Sequence, residues 1–257
     1  MDAEKSLPTG IQCDISSEFI QISKYFNMNK EVRVLKNKMW AKILRITGII
    51  LMSAAGAFTL LGGVGTSCVA FDPRGFGPAF MKLAPMQWLY VVFVVVTTII
   101  GIMGVRAVFQ LVKGNKKGYS NSLIALILGA AISVIHVVTS RSLRGSSMPV
   151  DAVMYTNILT LVFFLIIRIP SIWAGVNFEK ETSDSKEAGG AAAIVMGFMI
   201  LSIPFLMSST HTIGGINYAN AWSLVMNIIG VVIVVIGTVA LFIPEKFTLK
   251  KTVRELN

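Results

Sequence analysis

Residues 88–112 read WLYVVFVVVTTIIGIMGVRAVFQLV. In water, a stretch so rich in Val and Ile would be taken for β-strand. Strands are short, however, usually about 5–6 residues, and this run continues for twenty-five with Arg106 as its only charge. A bilayer core asks for about 20 helical residues. In hydrocarbon a lone strand leaves its N–H and C=O groups unpaired, whereas a helix pairs them within itself. The stretch therefore reads as a helix, with lipid as its solvent.

Composition points the same way. Of 257 residues, 54% are hydrophobic and 14% charged, against roughly 25% charged in a soluble domain. Five further apolar runs match the first in kind: 43–65, 119–140, 152–175, 191–209 and 221–243. Each is bounded by Gly, Pro, Asn or charge, as helix ends are. The expected fold class is all-α, a polytopic bundle of six transmembrane helices over 43–243. Before it stands a segment, 1–42, and after it a basic tail, 244–257. Within the leading segment Phe19, Ile22, Phe26, Val32, Leu35 and Met39 recur at near-helical spacing, with lysines and Arg33 between them. That is the pattern of a basic amphipathic helix at a membrane surface, in contact with anionic lipid. A solvated helix docked on the bundle fits the same pattern.

The net charge of +10 has a cause nearer than nucleic acid, since no basic patch is interleaved with exposed aromatics. Lys and Arg gather on the cytoplasmic side of membrane proteins. Numbering six crossings from the first run puts seventeen of them on the side of both termini and four on the other: Arg74, Lys82, Arg141 and Arg144. Both termini are expected in the cytoplasm, and the protein in the cell membrane. Cys13 and Cys68 then fall on opposite sides of the first span, which disfavours a disulfide. Neither is part of a zinc spacing. The connection NFEKETSDSKEAGG, 177–190, reads as an acidic, flexible linker.

All Asp and Glu lie outside the six runs, Asp151 at an edge. A proton- or cation-coupled transporter carries such groups inside its spans, so that class is disfavoured. Arg106 and Arg168 lie near cytoplasmic ends and are expected to snorkel. Asn157, Thr160, Pro204 and Asn227 are candidates for a polar track through the bundle. Hydrogen bonding between helices accounts equally well for the three polar ones.

LGGVGTSCVAFDPRGFG, 61–77, suggests a phosphate loop but lacks the Gly-Lys-Ser/Thr and the later glycine that such loops use. It reads as a helix end followed by a type I turn at DPRG, 72–75. Trp88 and Tyr90 suit an aromatic belt. The stretch SVIHVVTSRSLRG, 133–145, offers a more pointed candidate. His136 and the only other histidine, His211, fall on the external side, with Arg141 and Arg144 at the same edge. Two axial imidazoles with arginines for propionates would suit a b-type haem or a shared metal. The plainer reading is an anchored helix end, with an arginine paired to Asp151.

There is no Ser/His/Asp order, no H-E-x-x-H and no carboxylate pair in a span, and no soluble part large enough for a catalytic domain. Neither catalytic nor dedicated metal residues stand out, no cofactor is expected, and b-type haem is the alternative. The favoured function is a non-enzymatic integral membrane protein, a subunit or scaffold of a membrane assembly. Its partners are lipids and other membrane subunits. The alternatives are a facilitator or channel for a neutral solute and a haem-bearing electron-transfer subunit.

Overall fold

A computed structural model of the chain describes residues 14–147, 149–180, 184–207, 211–213 and 215–242, with side chains from Lys38 onward. Cys13 and the tail over 244–257 lie outside them. The described chain is nearly all helix, and six helices are long and apolar enough to cross a membrane. They are α1 (Asp14–Phe71), α3 (Gln87–Val112), α4 (Gly118–Arg144), α5 (Val150–Ile167), α7 (Ser185–Met207) and α9 (Ser223–Phe242). Shorter pieces are α2 (Pro78–Met81), α6 (Pro170–Val176), α8 (Tyr218–Ala221) and a hairpin of β1 (Thr212–Ile213) and β2 (Ile216–Asn217). Each of the six runs read from sequence contains one of these long helices.

Two boundaries differ from the sequence reading. The helix expected as a separate interfacial element over 17–42 is not set off by any break, since α1 is helical from Asp14 to Phe71. Residues 1–43 and 44–257 form two units. The fourth span is also shorter than 152–175. α5 stops at Ile167, and a separate α6 begins at Pro170. Proline has no N–H and pushes the preceding residue out of the helical region. Ile169 accordingly takes φ −54°, ψ 126°.

α3 and α5 pack antiparallel to α1, and α7 runs parallel to it. A Cβ added to Gly56 would lie 3.0 Å from the Gly104 carbonyl carbon, and one on Gly63 would lie 2.8 Å from the Thr98 nitrogen. As numbers rise on α1 they fall on α3. Close approach of this kind needs small residues, because lipid gives helices no hydrophobic push together. On another face of α1, Thr59 Oγ1 accepts from Asn157 Nδ2 at 2.9 Å, and the Leu51 carbonyl accepts from Thr160 at 3.3 Å. α7 docks where Ser53 Oγ donates to the Ala192 carbonyl at 2.9 Å. α4 closes against α3 and α5. α9 rests on α7 through Gly190 against Gly237 and Gly197 against Gly230, and it buries only Gly230 and Gly237.

On the side of the 113–117 connection, Arg45 holds the bundle together. Its residue surface is 1% exposed. Nη1 donates to the carbonyls of Asn177 (3.2 Å) and Lys180 (2.9 Å), and Nη2 donates to that of Leu111 (3.2 Å). Nε faces Asp184 Oδ2 at 3.8 Å. Phe178, fully buried, stacks on Phe164. The described parts of the 177–190 connection are thus pinned rather than loose, and its last six residues are helix.

Candidate functional site

The opposite side, that of the 72–86, 145–149 and 208–222 connections, carries the only two histidines. Asp72 caps the turn after α1, its Oδ1 accepting from the Gly75 N–H at 3.1 Å. α2 follows, with proline in its first turn, and a 3-10 turn over Ala84–Met86 leads into α3. This folds Phe80 and Leu83 back over Tyr90, Phe93 and Val69 as one apolar cluster. Trp88 is exposed, as a belt residue would be. Tyr90 is not: it is 2% exposed, and its hydroxyl shares a 2.8 Å hydrogen bond with Ser140.

His136 sits within this cluster, 5% exposed. Its ring stacks on Phe93 at 4.4 Å and meets the Tyr90 ring edge-on at 5.3 Å. Among the described residues neither ring nitrogen has a hydrogen-bond partner. A neutral imidazole carries one donor and one acceptor, and burying them unmatched is unfavourable. The ring borders a chamber of about 40 Å³, lined also by Tyr90, Ser140, Arg144 and His211. A smaller space of about 10 Å³ lies against the same ring.

His211 is held differently. Nδ1 lies 3.1 Å from the Met207 carbonyl and Nε2 lies 3.0 Å from the Gly65 carbonyl. The ring thereby ties the end of α7 to α1. The Asn217 side chain caps α8 by accepting from the Asn220 N–H, and α8 sets Tyr218 and Trp222 beside α1. Between α1, α7 and α9 opens a cavity of about 500 Å³. Leu61, Val64, Ile200, Ile203, Met226 and Ile229 supply its apolar wall, with Ser67, Cys68, Tyr218 and His211 as the polar exceptions. Gly65, Met207 and His211 line both the chamber and the cavity.

The residues singled out from sequence are distributed as follows. His136, His211 and Arg144 come together at the chamber. Arg141 does not. It is exposed and pairs with Asp151, Nη2 to Oδ1 at 2.9 Å, while its Nε donates to Ser147 Oγ and the Ser147 hydroxyl donates to the same carboxylate. Arg144 instead lays its guanidinium 4.8 Å from the Phe80 ring. Space of about 40 Å³ holds two or three water-sized groups, not a porphyrin, and both His211 nitrogens already face carbonyls. Asn157 and Thr160 are buried at the α1–α5 contact. Asn157 Nδ2 also donates to the Val153 carbonyl at 2.9 Å, and Thr160 donates to that of Thr156 at 2.7 Å. Pro204 is half-buried within α7, and Asn227 is exposed on α9. The four do not form one line.

Arg45 and the large cavity escaped the sequence reading. An arginine two residues into an apolar run was the available signal for the first. Nothing in the sequence pattern announces the second, which arises from helices 130 and more residues apart in the chain. No family model, curated protein or solved structure matches the chain.

Proposed function

We propose that the chain is a non-enzymatic integral protein of the cell membrane that holds one chain-like apolar molecule in the cavity between α1, α7 and α9. The observation that carries this reading is the cavity itself. Ligand sites are concave, mostly apolar and about 300–1,000 Å³ in volume, with a few polar groups placed to orient the occupant. This one has about 500 Å³ and that kind of lining. At about 15 Å³ of such space for each water-sized group, it has room for about thirty of them, more than the carbons of a sixteen-carbon chain. Its wall spans eight residues on α1, Leu61 to Cys68, eight on α7, Ile200 to Met207, and eight from Trp222, just before α9, to Ile229, each about 10 Å of helix. Tyr218 and Trp222 mark the headgroup end, where such rings prefer to lie. A molecule drawn from the bilayer would enter with its tail toward the bilayer centre.

Orientation follows from the lysines. With seventeen Lys and Arg on the side of the termini, both ends face the cytoplasm and the cavity opens in the outer leaflet. The basic segment before the bundle then lies against anionic inner-leaflet lipid. A second reading, a subunit or scaffold in a membrane assembly, is favoured by α9, whose outer faces meet no other part of the described chain.

Replacing Ile203 with tryptophan fills the cavity from the α7 side. Each methylene kept out of an apolar site forfeits about 0.8 kcal/mol, so losing two weakens binding about tenfold. Native mass spectrometry with hexadecanol should show one molecule bound per wild-type chain and about tenfold weaker occupancy in Ile203→Trp. A wild-type chain that takes none, or a variant that binds as well as wild type, contradicts the reading.

A further inference from the structure

We propose that the chamber beside the cavity is a head-group site, and that the molecule held is a single-chain amphiphile ending in a carboxylate. This inference rests on the reading that the cavity holds a chain. Its own support is the unpartnered His136. An imidazole 5% exposed, with no hydrogen bond among the described residues and bordering a space of about 40 Å³, has room for a polar occupant. The remaining wall shows which kind. Arg144 places positive charge there, its guanidinium carried on the Phe80 ring. Tyr90 and Ser140 add a coupled pair of hydroxyls, buried to 2% and 1% exposure. Among the described residues that line the chamber, none is Asp or Glu. The nearby carboxylate of Asp151 is hydrogen-bonded by Arg141 and Ser147, and its charge also acts on Arg144. A charge-assisted bond from arginine to carboxylate is among the strongest a protein makes.

Size limits the head. About 40 Å³ accommodates two or three small atoms, which is the size of a carboxylate and too little for a phosphodiester with its substituent. The passage to the tail site is short. Chamber and cavity share Gly65, Met207 and His211. One of these has no side chain, and another is a thioether that adapts readily to a neighbour. His136 and Arg144 then fix the head, while the α1–α7–α9 cavity takes the chain.

The test compares two probes of equal chain length, palmitate and hexadecanol, by equilibrium binding to the full-length protein in detergent micelles. Palmitate should bind wild type about tenfold more tightly, the difference one good charge-assisted bond supplies. In His136→Phe, which keeps a ring to stack on Phe93, and in Arg144→Gln, that preference should fall below about twofold. Arg144→Lys should retain part of it. His136→Phe carries the test alone if Arg144→Gln fails to fold. Equal affinity for both probes in wild type, with Ile203→Trp weakening both, overturns the head-group site and leaves the apolar-cavity reading standing. Binding of neither probe overturns both.

Discussion

Arg45→Met should unfold the bundle more readily than any change at the cavity. The guanidinium serves three backbone carbonyls and one carboxylate, all far from it in sequence. Methionine fills much of the same volume but donates nothing. The carbonyl of Leu111, in the last turn of α3, loses its side-chain donor and keeps the Gly114 N–H at 3.1 Å. Asp184, 5% exposed, loses the guanidinium. Removing one partner of a buried ion pair destabilises by about 3–5 kcal/mol, because the other partner is left in a poorly solvating site. Unfolding in mixed micelles should show a loss of that order, and proteases should cut within 177–184 in the variant and not in wild type. Adding Asp184→Asn should restore part of the stability, since coupled sites are not additive. A single variant within about 1 kcal/mol of wild type would mean that Arg45 does not hold this connection.

Gly101→Ala should be nearly as damaging, and for a different reason. A Cβ there would stand 2.5 Å from both the nitrogen and Cα of Leu60. Those are backbone atoms of the central helix and cannot rotate aside. α1 and α3 must separate, and the neighbouring contact of Gly56 with Gly104 opens with them. Overpacking of this kind destabilises by about 3 kcal/mol, here against the small gain of alanine over glycine in a helix. Gly65→Ala is the informative comparison. Its Cβ would meet nothing closer than His211 Nε2 at 3.9 Å, so stability should match wild type or exceed it slightly. The two variants share one chemical change, but only Gly101 lies at the α1–α3 contact. If they behave alike, close packing at Gly101 is not what holds α1 to α3.

The spans were readable from sequence because the bilayer imposes a length, and every run that met it holds a long helix. The side on which the two histidines lie followed from counting those runs. Where each residue points was less accessible. Tyr90 and Trp88 are two residues apart and both suit an interface, yet α3 turns Trp88 outward and Tyr90 onto Ser140. Pro170 was visible and still passed over, because the apolar run continues through it to Trp173. The pairing of Asp151 with Arg141 could be anticipated, since only ten residues separate them. Arg45 could not be assigned partners, because its contacts are made with a connection more than 130 residues away. The chamber and cavity exist only once residues of α1 to α5 and α7 to α9 are assembled, so the ligand reading belongs to the structure.

Cys68 gives the most direct test of the central claim, that this membrane bundle holds an amphiphile in a cavity on its outer side. Its thiol is free, half-buried and part of the cavity wall. In a Cys13→Ala background, the rate of its modification by a membrane-impermeant maleimide can be followed on intact cells and on inverted vesicles. The account predicts modification from outside the cell only, slowed about tenfold by saturating palmitate. Modification from the cytoplasmic face alone, or a rate that saturating palmitate leaves unchanged, would contradict it.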